Sequence, residues 1–123
     1  MNRPEQELQR ACVEILHRFV PPPMEGPVWT AINPIPAKSK AVAGISKAMG
    51  LRPGWPDLEM IYRGQMIYIE FKSDRGRLSK EQRQVHAELK AAGAFVHVVR
   101  SVDEFLKVLR GTGIVKKNKQ AGV

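Results

Sequence analysis

Met66-Ile67-Tyr68-Ile69-Glu70-Phe71-Lys72 is dense in aromatic and β-branched residues and reads as a strand. Side chains two apart on a strand share a face. Ile67, Ile69 and Phe71 therefore point into a core, while Glu70 and Lys72 share the opposite face. Two charges on one face of an otherwise apolar strand are unfavourable unless they are paired or used. Upstream, Gly54-Trp55-Pro56-Asp57-Leu58 places another carboxylate where a loop meets a neighbouring strand, Leu58 to Tyr62. Arg63-Gly64-Gln65 turns that strand into the next. The hairpin lets Asp57 converge with Glu70, so the chain must fold around a pair of acids.

The segments before the hairpin are bounded by strong stop signals. Asn2 caps a helix that starts near Arg3 or Pro4, with Pro4 tolerated in its first turn. Leu8, Ala11, Cys12, Ile15, Leu16 and Phe19 form its buried stripe, and Pro21-Pro22-Pro23 ends it. Cys12 lies in that stripe and is read as packing. Pro27 to Asn33 reads as a first strand. Asn33-Pro34-Ile35-Pro36 forces an irregular turn, and Ala37 to Met49 reads as a short basic helix stopped by Gly50.

After the hairpin, Ser73 to Leu78 is a polar loop. Ser79 with Gln82 three residues on fits a capping box. The helix it opens buries Val85, Leu89 and Ala92 and stops at Gly93. Ala94 to Val99 is a fourth strand. Ser101 caps a last helix that buries Val102, Phe105, Leu106 and Leu109 and stops at Gly111. The order is helix, strand, basic helical insertion, strand, strand, helix, strand, helix. This describes an α/β domain with a mixed central sheet flanked by helices. Residues 1–110 form the expected single domain, and residues 111–123 a basic flexible tail.

With 20 Lys and Arg against 12 Asp and Glu, the 123-residue chain carries a formal charge of +8, which points to a polyanionic partner such as nucleic acid. The single cysteine excludes an intramolecular disulfide, and no Cys/His cluster suggests zinc. No apolar run approaches a membrane span, and no signal-peptide core opens the chain, so a cytoplasmic location is expected.

Two carboxylates converging near a lysine form an oxygen-donor site for Mg²⁺ or Mn²⁺. Such a cation polarises a phosphodiester and activates water. The backbone carbonyl of Phe71 could face the same cation. A structural ion pair of Asp57 or Glu70 with Lys72 explains the spacing equally well. Glu5, Glu7 and Glu14 read as solvated helix acids, and Trp55 as structural support beside Asp57. His17, His86 and His97 have no partner visible in sequence and receive no catalytic role.

Pro56-Asp57 followed by Glu70-Phe71-Lys72 resembles the core motif of the PD-(D/E)XK nucleases. With Gly54, Ser73, Leu78-Ser79-Lys80-Glu81-Gln82 and Gly93-Ala94, it resembles in particular the VRR-NUC (virus-type replication-repair nuclease) domain, over nearly the whole chain. The resemblance implies the restriction-endonuclease-like fold, with Asp57 and Glu70 as metal-binding acids, Lys72 as catalytic lysine and Gln82 as a glutamine facing the site. It selects Glu5, one turn from Gln9, as a first-helix metal ligand, with Glu7 second. It further implies cutting of branched, flap or four-way-junction DNA in phage or bacterial replication and repair, in the host cytoplasm if phage-encoded. A homodimer like those of junction resolvases is expected. Lys38, Lys40, Lys47, Arg52, Arg75 and Arg77 flank the motif and are candidates for gripping phosphates. Two other readings stand beside this one. The first is a nucleic-acid-binding module that has kept the fold without cutting. The second is a restriction-type nuclease that reads sequence through the Pro34 to Met49 insertion.

Overall fold

A computed structural model of the chain describes residues 2–32 and 40–116. Helix α1 (Arg3–Phe19) starts at the Asn2 cap, whose side chain accepts from the Glu5 N–H. Strand β1 (Val28–Ala31) follows, then α2 (Lys40–Ala48), β2 (Leu58–Tyr62), β3 (Gln65–Phe71), α3 (Lys80–Ala91), β4 (Phe95–Val99) and α4 (Val102–Thr112). All eight elements occur in the expected order.

The strands form one sheet in the order β1-β2-β3-β4, with β1, β2 and β3 antiparallel in turn and β4 parallel to β3. The parallel join needs a crossover, and α3 supplies it. Helices α1 and α4 cover one face of the sheet. The core there gathers Cys12 and Leu16 from α1, Leu58, Met60 and Tyr62 from β2, Ile67, Ile69 and Phe71 from β3, and Phe105 and Leu109 from α4. Helix α3 packs against β4 on the other side, so β3 is covered on both faces. Consistent with this, Tyr68 is 5% and Glu70 2% exposed.

The buried stripe of α1 differs from the apolar pattern. Its buried residues are Glu5, Gln9, Cys12 and Leu16, a run with helical spacing that includes two polar side chains. Leu8 and Ile15 pack at its border. Ala11 is exposed beside the stripe, and Phe19 is 71% exposed because the helix end overshoots the core. Burying Glu5 also overturns its reading as a solvated acid. Glu7 and Glu14 are exposed and pair with Arg3 and Arg18 one turn away.

Smaller differences follow the same logic. On α3, His86 joins Val85 in full burial, Leu89 is half-buried and Ala92 is exposed. Helix α4 runs through Gly111 and stops at Gly113, whose φ of 85° is the left-handed conformation a helix stop favours. Ile114, just beyond, is buried in the core. The basic residues Lys117 and Lys119 lie outside the described residues, as do Lys38 and the turn from Asn33 to Pro36. Among the described residues, α2 makes no close approach to another helix or strand. Its Ile45 and the Met49 and Leu51 that follow are exposed.

Candidate active site

Asp57 is fixed by its backbone. Its N–H donates to the Ile69 carbonyl at 3.0 Å, and its carbonyl accepts from the Ile32 N–H at 2.7 Å. The peptide thus bridges β1 and β3 just before β2 begins. The buried Pro56 before it fixes its own φ and stiffens the approach to β2. Asp57 Oδ2 accepts from the Phe71 N–H at 2.8 Å. The N–H and C=O of a strand residue leave by the same edge, so the Phe71 carbonyl faces the Asp57 side as well.

Glu70 comes to the same place from the centre of β3. Asp57 and Glu70 lie close enough for each to shift the pKa of the other. Burial pushes Asp57 up to about 8, reinforced by the hydrogen bond and the charge of Glu70, while the Phe71 N–H and Lys72 pull it back. Glu70 is also raised, first by burial, with Asp57 and Lys72 opposing. A buried and a half-buried acid beside one lysine make a site that favours added positive charge. The donors are all oxygen, as a hard divalent cation prefers. Asp57, Glu70 and the Phe71 carbonyl are the groups that could hold one.

Glu5 lies next to this pair and raises the Glu70 pKa further. Its own contact is with the loop after β3, where Oε1 accepts from the Ser73 N–H at 3.4 Å. Gly76 closes that loop over it: a Cβ there would stand 3.1 Å from Glu5 Oε1. Among the described residues, no group of three or more His, Cys, Asp and Glu is arranged to hold a metal ion. The structure brings Asp57 and Glu70 together and places the buried Glu5 beside them, bonded to the Ser73 N–H.

Gln82 fills both of the roles its position suggested. Its Oε1 accepts from the Ser79 N–H at 2.9 Å while its own N–H donates to Ser79 Oγ at 3.1 Å, completing the capping box. Its Nε2 donates to Glu70 Oε2 at 3.4 Å. One amide starts the helix with its oxygen and holds the site with its nitrogen.

Two residues near the site were not among the expected ones. His86, one turn after Gln82, is buried with Nε2 3.1 Å from Glu70 Oε1. The i, i+4 spacing from Gln82 was the available clue. Arg100, just after β4, directs Nη1 to the carbonyls of Ser73 and Gly76, both at 2.7 Å, and to Asp74 at 3.4 Å. It gathers the loop that covers Glu5. Lys72, Arg75 and Arg100 then line an open cleft of about 460 Å³ with Pro4, Leu8, Ser73 and Asp74.

The expected phosphate-gripping residues divide. Lys40, Lys47, Arg75 and Arg77 are exposed and Lys38 lies outside the described residues. Arg52 is engaged instead by Glu88, two bonds of 3.0 and 3.1 Å, with its guanidinium 5.9 Å from the Trp55 ring. Trp55 meets Tyr68 edge-on at 6.1 Å and so supports the Asp57 loop from behind. No helix among the described residues is long and apolar enough to cross a membrane.

A mixed sheet flanked by helices, with an Asp–Glu pair and a lysine at its centre, is the layout of the PD-(D/E)XK nuclease fold. The VRR-NUC domain family matches residues 3–103. The chain belongs to that family and is thus a nuclease of the PD-(D/E)XK superfamily, a hydrolase. Two solved structures are similar to it at 22% identity. One, described as a VRR_NUC domain, has a TM-score of 0.62, with 89% of this chain and 97% of that one covered. The other, described as a VRR_NUC domain protein, has a TM-score of 0.66 and coverage of 94% and 91%. No curated protein sequence matches the chain.

Proposed function

We propose that the protein is a divalent-metal-dependent DNA endonuclease selective for branched substrates (flaps or four-way junctions) in phage or bacterial replication and repair. Mg²⁺ or Mn²⁺ is the proposed ion. The observation that carries this reading is the pairing of the half-buried Asp57 with the buried Glu70, in which Asp57 is pushed up to about 8. Neither acid is neutralised by an ion pair with Lys or Arg among the described residues, and the Phe71 N–H anchors Asp57 against the strand that carries Glu70.

The bound cation would supply the Lewis acid that polarises the scissile phosphate and activates water. Asp57, Glu70 and the Phe71 carbonyl would hold it. Lys72, on the Glu70 side of β3, would offset the charge that builds on the phosphate and orient the attacking water. Gln82 keeps Glu70 turned inward. Arg75 and the exposed lysines of α2 would bind phosphates on either side of the cut without reading sequence. A homodimer would present two such sites, as paired cuts across a junction require, and the cytoplasm is the proposed compartment.

A cleavage panel tests the reading: single-strand, duplex, flap and four-way-junction DNA, each with Mg²⁺, with Mn²⁺ and with EDTA. Metal-dependent cutting that favours the branched forms is expected. Binding without any cutting would favour a silent binding module. Cutting of duplex at one defined sequence would favour the restriction-type reading.

A further inference from the structure

The two oxygens of Glu70 are held by two residues of the same helix. Gln82 Nε2 reaches Oε2 at 3.4 Å and His86 Nε2 stands 3.1 Å from Oε1. The residues are one turn apart and face the sheet together. His86 is 5% exposed, although histidine is an expensive residue to bury without a purpose or a partner. The side-chain packing of α3 needs only an apolar group there, as Val85 beside it supplies.

We infer that His86 is a positioning residue of the nuclease site, holding the Glu70 carboxylate in the orientation in which it ligates the catalytic cation. Glu70 Oε2 accepts the amide N–H of Gln82. In this role His86 Nε2 carries the N–H that Glu70 Oε1 accepts. The carboxylate is thereby held from both ends. Outer partners of this kind fix the direction of a metal ligand, and their loss costs about 10–100-fold in metal affinity. The inference rests on the metal-dependent reading above and assigns His86 no contact with DNA.

The test is calorimetric titration of Mn²⁺ into the wild type, His86→Leu and His86→Gln, paired with cleavage kinetics. Leucine keeps the bulk and removes the donor, while glutamine restores an N–H of similar reach. The leucine variant is expected to bind Mn²⁺ about 10-fold more weakly or worse. Its KM for DNA should be unchanged, and much of its kcat should return at high Mn²⁺. The glutamine variant should recover most of the affinity. Wild-type Mn²⁺ affinity in the leucine variant, or equal losses in both variants, overturns the inference. Should the variants not fold, long-range ¹H–¹⁵N spectra of the metal-free wild type decide it: His86 protonated at Nε2 is expected, and protonation at Nδ1 overturns it. A wild type that binds no Mn²⁺ and does not cut would remove the metal-dependent reading, whereas a cutting wild type with Nδ1–H at His86 would remove this inference alone.

Discussion

Gly54 lies directly against Glu81 in the first turn of α3. A Cβ on Gly54 would stand 2.5 Å from the Glu81 carbonyl carbon and 2.8 Å from the Gln82 nitrogen. Its φ of 89° is also one that side-chain-bearing residues rarely adopt. The contact sets the distance between the loop carrying Asp57 and the helix carrying Gln82 and His86.

Gly54→Ala therefore strains the backbone and forces the loop off the helix. Overpacking and a left-handed residue each cost about 1–3 kcal/mol. A thermal midpoint lower by about 10 °C is expected from thermal unfolding. Cutting should fall further than stability explains at a temperature where the variant is folded, because the acids and the helix separate.

Asp57→Asn and Glu70→Gln keep the shape of the site and remove a charge. Cutting should drop by at least ~100-fold, since even outer partners of metal ligands cost 10–100-fold. DNA affinity in EDTA should hold or tighten, because an acid that repels phosphate is gone. Gel-shift and cleavage assays on the same junction substrate measure both.

The raised pKa of Asp57 has a defined sign in stability. The folded state holds this proton up to about 8, while the unfolded carboxylate releases it near 4. Its contribution is fully present below the unfolded value and is lost as pH rises through about 8. Each unit of effective shift is worth about 1.4 kcal/mol, or roughly 4 °C in a domain of this size. His86 and His97, lowered mainly by burial, act in the opposite direction below their ordinary range. Comparing the wild type with Asp57→Asn from pH 5 to pH 8 isolates the carboxyl contribution. The metal-free wild type should lose more stability over that interval, and Mg²⁺ should restore more at pH 8 than at pH 5.

Much of this architecture was readable because its signals are local. The Asn2 cap, the Ser79–Gln82 box and the alternation of Ile67, Ile69 and Phe71 each lie within a few residues, and each appears as expected. Asp57 and Glu70 met because a tight hairpin joins their strands. What escaped depends on contacts made only after folding. Glu88 captures Arg52 across the turn that brings the loop against α3, and His86 finds Glu70 only when α3 lies on β3. Glu5 looked solvated because the apolar pattern of α1 ends near Leu8, yet the loop from Ser73 to Gly76 folds over it. Phe19 erred the other way: its spacing was right, but no core remained at that end of the helix.

Arg100 should act as the clamp of that loop. Removing it in Arg100→Ala frees the carbonyls of Ser73, Asp74 and Gly76. The exposed Arg75 and Arg77 then become better trypsin sites. Nicking there should speed up several-fold while the rest of the domain resists, as read by limited proteolysis and mass spectrometry.

The lysines of α2 should contribute affinity without specificity. Lys40 and Lys47 are exposed on a helix that packs against no other element among the described residues. Each phosphate contact adds about 0.9 to the slope of log affinity against log salt. Replacing both with Ala should flatten that slope by about 2 and weaken every DNA substrate alike, as measured by fluorescence anisotropy over a salt series.

The double bonding of Gln82 narrows what this chain can become. A helix opened by serine accepts glutamate three residues on as readily as glutamine. Here glutamate would still cap the helix, yet it would set a third acid against Glu70 and lose the donor that Glu70 uses. A substitution neutral for the helix would silence the enzyme, so the start of α3 and the chemistry beneath it must change together or not at all.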